Sequence, residues 1–248
     1  MNKILILSGC SRGLGSELKD KYLSEGYKVI GIDTIKAKNS PNFTFIERNL
    51  IDISKDKKML KELIKFIRKE IPSQCKKIVL INNAALQVIK PIEKITFKEL
   101  ENSFFVNVFA PIFLIQSLID DLKTKNGQII NILSIHTKLT KKYFSSYSSS
   151  KSAMESITKS LSLELAEKNI RVIGISPAAL ETSMLIRGFN KNPKKLSQLK
   201  SYHPVNEIGQ VKKLSNFIHS ISENEDMFLS GTIFDYSGAI QHVLHDPL

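Results

Sequence analysis

Short runs of aliphatic residues recur along the chain and predict its strands. Five of them, residues 4–7, 29–32, 78–81, 129–133 and 172–175, are almost entirely apolar instead of alternating with polar positions, and Asn131 is the one polar residue within them. Such runs are typical of parallel strands that are covered on both faces. Residues 44–46 and 232–234 add two weaker strand patterns, which brings the expected sheet to about seven strands.

Segments with helical periodicity separate the strand patterns. The first places Leu14, Leu18 and Tyr22 on one face and ends at Gly26, a common helix stop. Similar apolar faces follow in residues 60–67, 153–165 and 211–221. This alternation predicts a doubly wound, Rossmann-type α/β fold with a parallel sheet and helices on both faces. No repeat or linker interrupts the pattern, so residues 1–248 are expected to form a single domain.

The composition favours a globular protein that does not bind nucleic acid. With 248 residues, 42% of them hydrophobic, the chain is long and apolar enough to bury a substantial core. The formal net charge is +12, but the lysines are scattered and form no basic stripe with interleaved aromatic residues. We therefore expect a small-molecule substrate and no nucleic-acid partner.

The cysteines and the apolar segments bear on the compartment. Cys10 and Cys75 are far apart and lack neighbours at metal-ligand spacing, which favours a reduced protein without a metal site. The apolar run at residues 4–7 is too short for a signal peptide, and no apolar stretch is expected to reach the length of a membrane span. We expect a cytoplasmic protein with no membrane contact.

A glycine-rich segment after the first strand has the features of a phosphate-binding loop. Residues 8–15 read Ser-Gly-Cys-Ser-Arg-Gly-Leu-Gly and lead into a helix. Glycine lets a phosphate approach the backbone N–H groups, and the helix N-terminus adds further donors. The spacing differs from the general dinucleotide fingerprint, but the strand–loop–helix context favours a diphosphate site. The candidate contacts are Gly9, Ser11, Arg12, Gly13, Leu14 and Gly15.

An acidic residue at the end of the second strand favours NAD as the cofactor. Asp33 lies about 20 residues after the loop, where a carboxylate accepts hydrogen bonds from the ribose diol and repels a 2′-phosphate. Arg12, Lys36 and Lys38 work against this preference, since a cation near the ribose attracts that phosphate. We expect NAD, with NADP as the alternative.

A tyrosine and a lysine one helical turn apart form the candidate catalytic pair. Tyr147 and Lys151 begin a predicted helix and share one face of it. A nearby ammonium stabilises a phenolate and lowers the tyrosine pKa, which suits Tyr147 for exchanging a proton with an alcohol or carbonyl. Ser134 lies thirteen residues before Tyr147, at the end of a predicted strand where ligand sites of α/β folds form.

Taken in order, these motifs resemble the short-chain dehydrogenase/reductase family. The set adds Asn-Asn-Ala-Ala at residues 82–85, the helix that holds Asn107, and Pro-Ala-Ala-Leu-Glu-Thr at residues 177–182. It covers nearly the whole chain in the family's order and spacing. The resemblance implies an oxidoreductase that moves a hydride between NAD(P) and a secondary alcohol or ketone.

The resemblance also implies a role for each matching residue. Tyr147 would be the general acid/base, Lys151 would lower its pKa and bind the nicotinamide ribose, and Ser134 would orient the substrate oxygen. Asn107 would hold a water that links Lys151 to solvent. The other implied cofactor contacts are Asn49 and Leu50 at the adenine, Asn83 and Ala84 at the ribose, and Pro177, Leu180 and Thr182 at the nicotinamide.

Three positions depart from the family pattern. Ala85 and Ala178 stand where the family has glycine, and Tyr-Ser-Gly-Ala at residues 236–239 replaces an Asp-Gly-Gly motif. The first two add a methyl group where backbone crowds the cofactor, which is expected to weaken binding or to reshape the loops. None of the three removes a group that hydride transfer needs.

Residues 183–206 correspond to the family's mobile lid over the substrate and contain no acidic residue. Their basic members are Arg187, Lys191, Lys194, Lys195, Lys200 and His203. One interpretation is an anionic substrate, such as a sugar acid, a phosphorylated sugar or an acyl carrier. The other is a solvated basic loop in a basic protein.

The family commonly forms tetramers through the helices that carry Asn107 and Tyr147. The apolar faces of these helices predict a homo-oligomer here, either a tetramer or a dimer. Two alternative functions stay open. One is a 3-oxoacyl-acyl-carrier-protein reductase that uses NADPH, which Arg12 and the basic lid favour and Asp33 opposes. The other is a dinucleotide-sensing protein without catalysis, which the retained catalytic set argues against.

Overall fold

One seven-stranded parallel sheet organises the protein. The computed structural model describes residues 2–182, 185–186 and 192–243. The strands are β1 (Lys3–Ser8), β2 (Lys28–Asp33), β3 (Phe43–Glu47), β4 (Lys77–Asn82), β5 (Gly127–Ile132), β6 (Arg171–Pro177) and β7 (Ile233–Tyr236). They lie in the order β3-β2-β1-β4-β5-β6-β7, and every pairing is parallel. The predicted doubly wound Rossmann-type sheet of about seven strands is confirmed.

The position of each strand in the sheet explains the strength of its sequence signal. The five continuous aliphatic runs form the five interior strands, where both faces are covered by helices. The two weaker patterns form the edge strands β3 and β7. In β7 no residue is fully buried, so its apolar pattern is the least distinct of the seven.

Helices cover both faces of the sheet. They are α1 (Gly13–Ser24), α2 (Leu50–Lys55), α3 (Lys57–Glu70), α4 (Phe97–Phe104), α5 (Ala110–Lys123), α6 (Ser145–Ala166), α7 (Pro193–Ser201) and α8 (Val211–Glu223). Leu18 of α1 and Ile218 of α8 pack in the core on one face. Leu63 of α3 and Leu118 of α5 pack in the core on the other. The carboxyl ends of all seven strands meet at one edge, which is where the expected site residues lie.

The helical segment 97–123 corrects one sequence expectation. It runs without interruption through α4, a wide turn at Phe105–Phe109 and α5. Its most apolar window has a mean hydropathy of 1.6, so the segment is long and apolar enough to span a membrane by length and composition alone. Leu114 and Leu118 of α5 are buried in the core of the protein. Packing against the sheet therefore accounts for this apolar composition.

Candidate active site

The glycine loop forms a cradle at the carboxyl end of β1. Gly9 and Gly13 adopt positive φ angles of 70° and 53°, which glycine reaches without steric cost. Asn83 donates from Nδ2 to the backbone oxygens of Ser8 and Gly9, at 3.2 and 2.9 Å. Gly15 packs so closely that an added Cβ would lie 1.8 Å from the Gly9 carbonyl oxygen. The loop therefore depends on glycine for its shape.

The start of α1 offers backbone N–H groups to a phosphate. Arg12 is the N-cap residue, its side chain makes no capping hydrogen bond, and the first turn holds no acidic residue. Thr182 lies above this end of the helix, with its Cγ2 atom 3.4 Å from where a Cβ of Gly13 would be. Leu14 is buried in the core, so only its backbone faces the loop. The free amides and the helix dipole fit the diphosphate of a dinucleotide.

Three backbone N–H groups hold the Asp33 carboxylate beside the glycine loop. Ser11 N donates to Oδ2 at 2.9 Å. Thr34 N and Ile35 N donate to Oδ1 at 2.7 and 3.2 Å. The Ser11 hydroxyl also donates to the Ile35 carbonyl oxygen at 2.7 Å, which ties the loop to the turn after β2. The carboxylate expected to bind the ribose is thus fixed at the rim of the cradle.

The residues expected at the adenine have local structural roles. Asn49 caps α2, with its Oδ1 accepting from Ile51 N at 3.0 Å. Leu50 is buried in the core. Lys36, one of the cations expected near the ribose, pairs with Glu47 at 3.7 Å. This pairing reduces the positive charge available to a 2′-phosphate.

Asn83 and Ala84 cross beneath the glycine loop. Their N–H groups both donate to the Ser8 hydroxyl, at 3.1 and 3.2 Å. An added Cβ on Gly9 would lie 2.8 Å from the Cα atom of Ala84, so the two segments are in close contact. Ala85, which replaces a family glycine, is exposed and has room for its methyl group.

Ser134 follows directly after β5 at the carboxyl edge of the sheet. Its side chain is 5% exposed. The hydroxyl oxygen accepts from His136 N at 3.2 Å and so caps a single helical turn, Ile135–Thr137. The end of the strand and this turn together hold the hydroxyl in place.

Tyr147 and Lys151 lie one turn apart near the start of α6, as predicted. The Lys151 Nζ atom lies 5.8 Å from the centre of the Tyr147 ring and donates to the Ile132 carbonyl oxygen at 2.7 Å. Burial lowers the pKa of Lys151 to about 8. Burial also raises the pKa of Tyr147, and a hydrogen bond with the Ser134 side chain partly offsets this.

The direction of the Tyr147 pKa shift is opposite to the expected one. The sequence suggested that the Lys151 ammonium lowers this pKa. In the structure the ammonium is directed to the end of β5, and loss of solvent around the phenol is the larger effect. At neutral pH the protein without ligands therefore holds Tyr147 as a phenol.

Asn107 lies in the wide turn between α4 and α5, where Pro111 has no N–H to continue a regular helix. Its Oδ1 accepts from Leu86 N at 2.8 Å, and its Nδ2 donates to Leu86 O and to the Ser150 hydroxyl, both at 2.9 Å. Ser150 in turn donates to the Tyr147 carbonyl oxygen at 2.8 Å. The side chain of Asn107 therefore joins the loop after β4 to α6.

The segment after β6 closes over the cofactor cradle. β6 ends at Pro177, and Leu180 forms an isolated parallel bridge with Gly209. Thr182 then reaches the glycine loop at Gly13. The structure thus brings the three residues expected at the nicotinamide to the same edge as Tyr147.

The C-terminal departure from the family pattern has a structural consequence. Tyr236 accepts a hydrogen bond from Ala178 N at 3.0 Å through its carbonyl oxygen. Ala239 adopts a left-handed backbone conformation with φ of 64°. The family has glycine in this motif, and glycine reaches that conformation without steric cost. A non-glycine residue there carries a strain of about 1–2 kcal/mol.

Part of the expected lid forms α7. Lys194, Lys195 and Lys200 are exposed on this helix. His203 is buried, and its Nδ1 donates to the Leu199 carbonyl oxygen at 3.0 Å, so it does not belong to the exposed basic set. Arg187 and Lys191 lie outside the described residues.

Sequence reasoning missed Ser150 and His136. Ser150 is fully buried on α6, where its hydroxyl accepts a hydrogen bond from Asn107. The His136 ring lies 6.1 Å from the Tyr147 ring, centre to centre, in an edge-to-face contact. Both residues are sequence neighbours of expected site residues, but only the fold shows what they contact. Among the residues that the structure describes, no cluster of three His, Cys, Asp or Glu side chains is arranged to hold a metal ion.

Comparisons with known proteins agree with this geometry. A family model described as short chain dehydrogenase matches residues 3–192. A 3-oxoacyl-acyl-carrier-protein reductase of Buchnera aphidicola is 26% identical, over 96% of this chain and 97% of its own length. A diacetyl reductase of Staphylococcus epidermidis, described as (S)-acetoin forming, is 29% identical over 74% of each chain.

Solved structures share the fold. A 4-hydroxyisoleucine dehydrogenase complexed with NADH superposes with a TM-score of 0.85 and 23% identity, covering 96% of this chain and 98% of the other. ElxO with NADP bound superposes with a TM-score of 0.86 and 20% identity, covering 98% of this chain and the whole of the other. At these identities the likeness speaks for the fold alone.

Proposed function

Because this chain belongs to the short-chain dehydrogenase family, whose members act on alcohol and ketone groups with NAD(P), we propose that its substrate is an anionic or sugar-derived secondary alcohol or ketone. One observation carries the catalytic part of the proposal, and the exposed lysines of α7 support the negative charge of the substrate. The buried Lys151 lies beside Tyr147, and Ser134 stands at the adjacent strand end, all at the same edge of the sheet as the glycine cradle. This arrangement suits proton exchange next to a bound dinucleotide.

In the proposed mechanism each residue has one task. A bound nicotinamide supplies the hydride acceptor for oxidation and the donor for reduction. In reduction Tyr147 gives its phenol proton to the substrate's carbonyl oxygen. In oxidation the phenol proton first leaves through the relay that begins at Lys151, and the phenolate then takes the substrate's hydroxyl proton. Ser134 orients the substrate oxygen in both directions. The Lys151 ammonium donates one of its three N–H groups to Ile132 O. The other two are available to the cofactor ribose and to a proton relay through water near Asn107.

The cofactor contacts extend the proposal along the cradle. We assign the diphosphate to the backbone of the glycine loop and the adenosine ribose to Asp33. The segments at Asn49, at Asn83 and at Pro177 to Thr182 would complete the site. The support is their common position at the carboxyl edge of the sheet.

The proposal also covers the domain organisation, the compartment and the oligomeric state of the protein. We propose a single catalytic domain over residues 1–248 with a lid at 183–206, forming a cytoplasmic homo-oligomer, either a tetramer or a dimer. Phe97 on α4, Phe109 before α5 and Leu163 on α6 are exposed and apolar, which supports association through these helices. The exposed lysines of α7 support an anionic substrate.

One other function has specific support, and a second differs from the proposal only in its need for Tyr147. An acyl-carrier-protein reductase that uses NADPH is favoured by the name of the Buchnera relative and by the exposed Arg12 at the cradle. A dinucleotide sensor without catalysis would keep the cradle but not need Tyr147. Cofactor preference tests the first alternative, and loss of turnover on changing Tyr147 tests the second.

We expect the protein to bind NADH at least about tenfold more tightly than NADPH, a difference of about 1.4 kcal/mol. The reason is that the fixed Asp33 carboxylate repels a 2′-phosphate. Asp33→Ser should lose affinity for NADH, which reduces the difference in affinity between NADH and NADPH. Fluorescence titration with each cofactor measures both affinities. Asp120→Ser is the matched control, because it removes the same charge at an exposed position near the C-terminal end of α5, away from the cradle. Tighter binding of NADPH by the natural protein would favour the acyl reductase.

Reversing one lid charge tests the anionic substrate. We expect Lys195→Glu to raise KM for acetoacetyl-coenzyme A by about three- to tenfold at low salt, and less at high salt, because an exposed charge acts through a screened field. KM for the neutral ketone diacetyl should not change. Lys123→Glu, exposed at the end of α5, is the control for net charge. Equal KM values for the two variants and the natural protein would contradict the anionic interpretation.

A further inference from the structure

His136 forms part of the wall beside the proposed catalytic tyrosine. It lies in the single turn Ile135–Thr137, two residues after Ser134. Its ring meets the Tyr147 ring edge to face, with 6.1 Å between centres and 76° between planes, and it packs on Phe144 with 4.6 Å between centres. The imidazole therefore borders the place where Ser134 and Tyr147 would take the reacting oxygen of a substrate.

One ring nitrogen of His136 is already bonded, and this determines the tautomer. Nδ1 lies 3.1 Å from the Leu139 carbonyl oxygen. A carbonyl oxygen can only accept a hydrogen bond, so Nδ1 carries the hydrogen. Burial lowers the pKa of His136 below its ordinary value, and the neighbouring Lys141 ammonium acts in the same direction. The ring is therefore neutral at physiological pH, and Nε2 presents a lone pair.

The Nε2 atom is available to a ligand. Within the described residues it has no hydrogen-bond partner, and it is not among the buried polar atoms that solvent cannot reach. In this respect it differs from Nε2 of His203 and of His219, which are enclosed. An acceptor that is not enclosed, on a ring held by Leu139 O beside Tyr147, is suited to accepting a hydrogen bond from a hydroxyl group of a ligand.

We propose that His136 determines specificity by accepting a hydrogen bond from a second hydroxyl group of the substrate, on a carbon next to the one that reacts. The substrate is then a vicinal diol or polyol, or the corresponding 2-hydroxyketone. This inference rests on the proposed function of the same site. In oxidation the carbinol carbon loses a hydride, for which a bound nicotinamide would be the acceptor. The hydroxyl proton passes to Tyr147 once the phenol proton of that residue has left through the relay at Lys151. The second hydroxyl is unchanged.

The chemistry at Nε2 discriminates between substrate classes. A simple secondary alcohol offers no donor, so binding it would remove water from Nε2 without replacing the hydrogen bond. A carboxylate at the same point would place its negative charge against a lone pair. A charged group elsewhere on a polyol, such as a phosphate within reach of α7, does not interfere with the hydrogen bond from the second hydroxyl group to His136.

The test compares 2,3-butanediol with 2-butanol, which differ by the one hydroxyl group, and uses 3-hydroxybutyrate as the carboxylate probe. With whichever cofactor binds more tightly, we expect kcat/KM for the diol to exceed that for the other two by about tenfold or more. His136→Gln and His136→Asn are matched variants. The glutamine amide reaches the position of Nε2, whereas the asparagine amide reaches only that of Nδ1 and can still bond Leu139 O.

We expect His136→Gln to keep most of the preference for the diol and His136→Asn to lose it, with the rate on 2-butanol little changed. A purely structural role would give the reverse, since asparagine preserves the bond to the loop. The inference is overturned if the natural enzyme prefers 2-butanol or 3-hydroxybutyrate, if it oxidises none of the three, or if His136→Asn keeps the preference. Equal rates on diol and monool that still depend on Tyr147 would remove only this inference, whereas absence of all turnover with bound cofactor would remove the proposed function as well.

Discussion

Tyr147→Phe is expected to lower kcat by about 10³-fold while the affinity for NADH stays within about twofold. The substitution removes only the hydroxyl oxygen that exchanges the proton. The phenyl ring keeps the contacts that Tyr147 makes with His136 and Phe144, so the shape of the site is preserved. Steady-state rates and cofactor titration on the same preparation measure the two quantities.

A neighbouring tyrosine provides the control for this substitution. Tyr143 lies in the turn ahead of α6, four residues before Tyr147, and is exposed. Tyr143→Phe therefore removes a hydroxyl from the same region without touching the buried site. We expect its kcat to equal that of the natural protein. If Tyr147→Phe kept a comparable rate, another group would have to carry the proton. A natural protein that binds cofactor but turns over no alcohol or ketone would instead favour the sensor.

Gly15→Ala is expected to weaken cofactor binding by about a hundredfold and to destabilise the protein by about 1–3 kcal/mol. Its added Cβ would lie 1.8 Å from the Gly9 carbonyl oxygen and 2.7 Å from the Asn83 Nδ2 atom. Both neighbours help to shape the cradle, so relief of the clash has to displace the loop that receives the diphosphate. Titration with NADH and thermal unfolding measure the two effects.

Gly26→Ala is the control for the loss of a glycine. Gly26 has a φ of 79°, and an added Cβ would meet no atom within 4 Å. It should therefore lose some stability from backbone strain while binding NADH normally. If Gly15→Ala bound NADH as tightly as Gly26→Ala, the glycine loop would not be the diphosphate site.

The sequence was sufficient to predict the sheet, because strands that are buried on both faces consist of consecutive apolar residues. Each of the five continuous aliphatic runs became an interior strand, and the two weaker runs became the edges. The spacing of Tyr147 and Lys151 was also sufficient to place them on one helical face, since that follows from the helix period alone.

The sequence was less informative where residue type permits several partners. Asn49 caps α2 in the structure, and Asn107 bonds to Leu86 and Ser150 across two segments distant in sequence. The apolar composition of residues 97–123 does not by itself distinguish a core helix from a membrane span. An asparagine side chain can form its hydrogen bonds with several different partners, and an apolar helix can be buried in a protein core or in a membrane. Packing between segments that are distant in sequence selects one of these arrangements.

The amino-acid sequence alone determined the sheet, the glycine loop and the position of Tyr147 and Lys151 on one helical face, because these depend on local periodicity and on residues close together in the chain. The tertiary structure decided how they act on one another. It directs Lys151 to Ile132 O and packs the Tyr147 ring against Phe144, so that burial raises the tyrosine pKa instead of a cation lowering it. It also brings His136 against Tyr147. Desolvation and ring contacts of this kind depend on which segments come together in the fold. Local periodicity along the chain carries no information on contacts between distant segments.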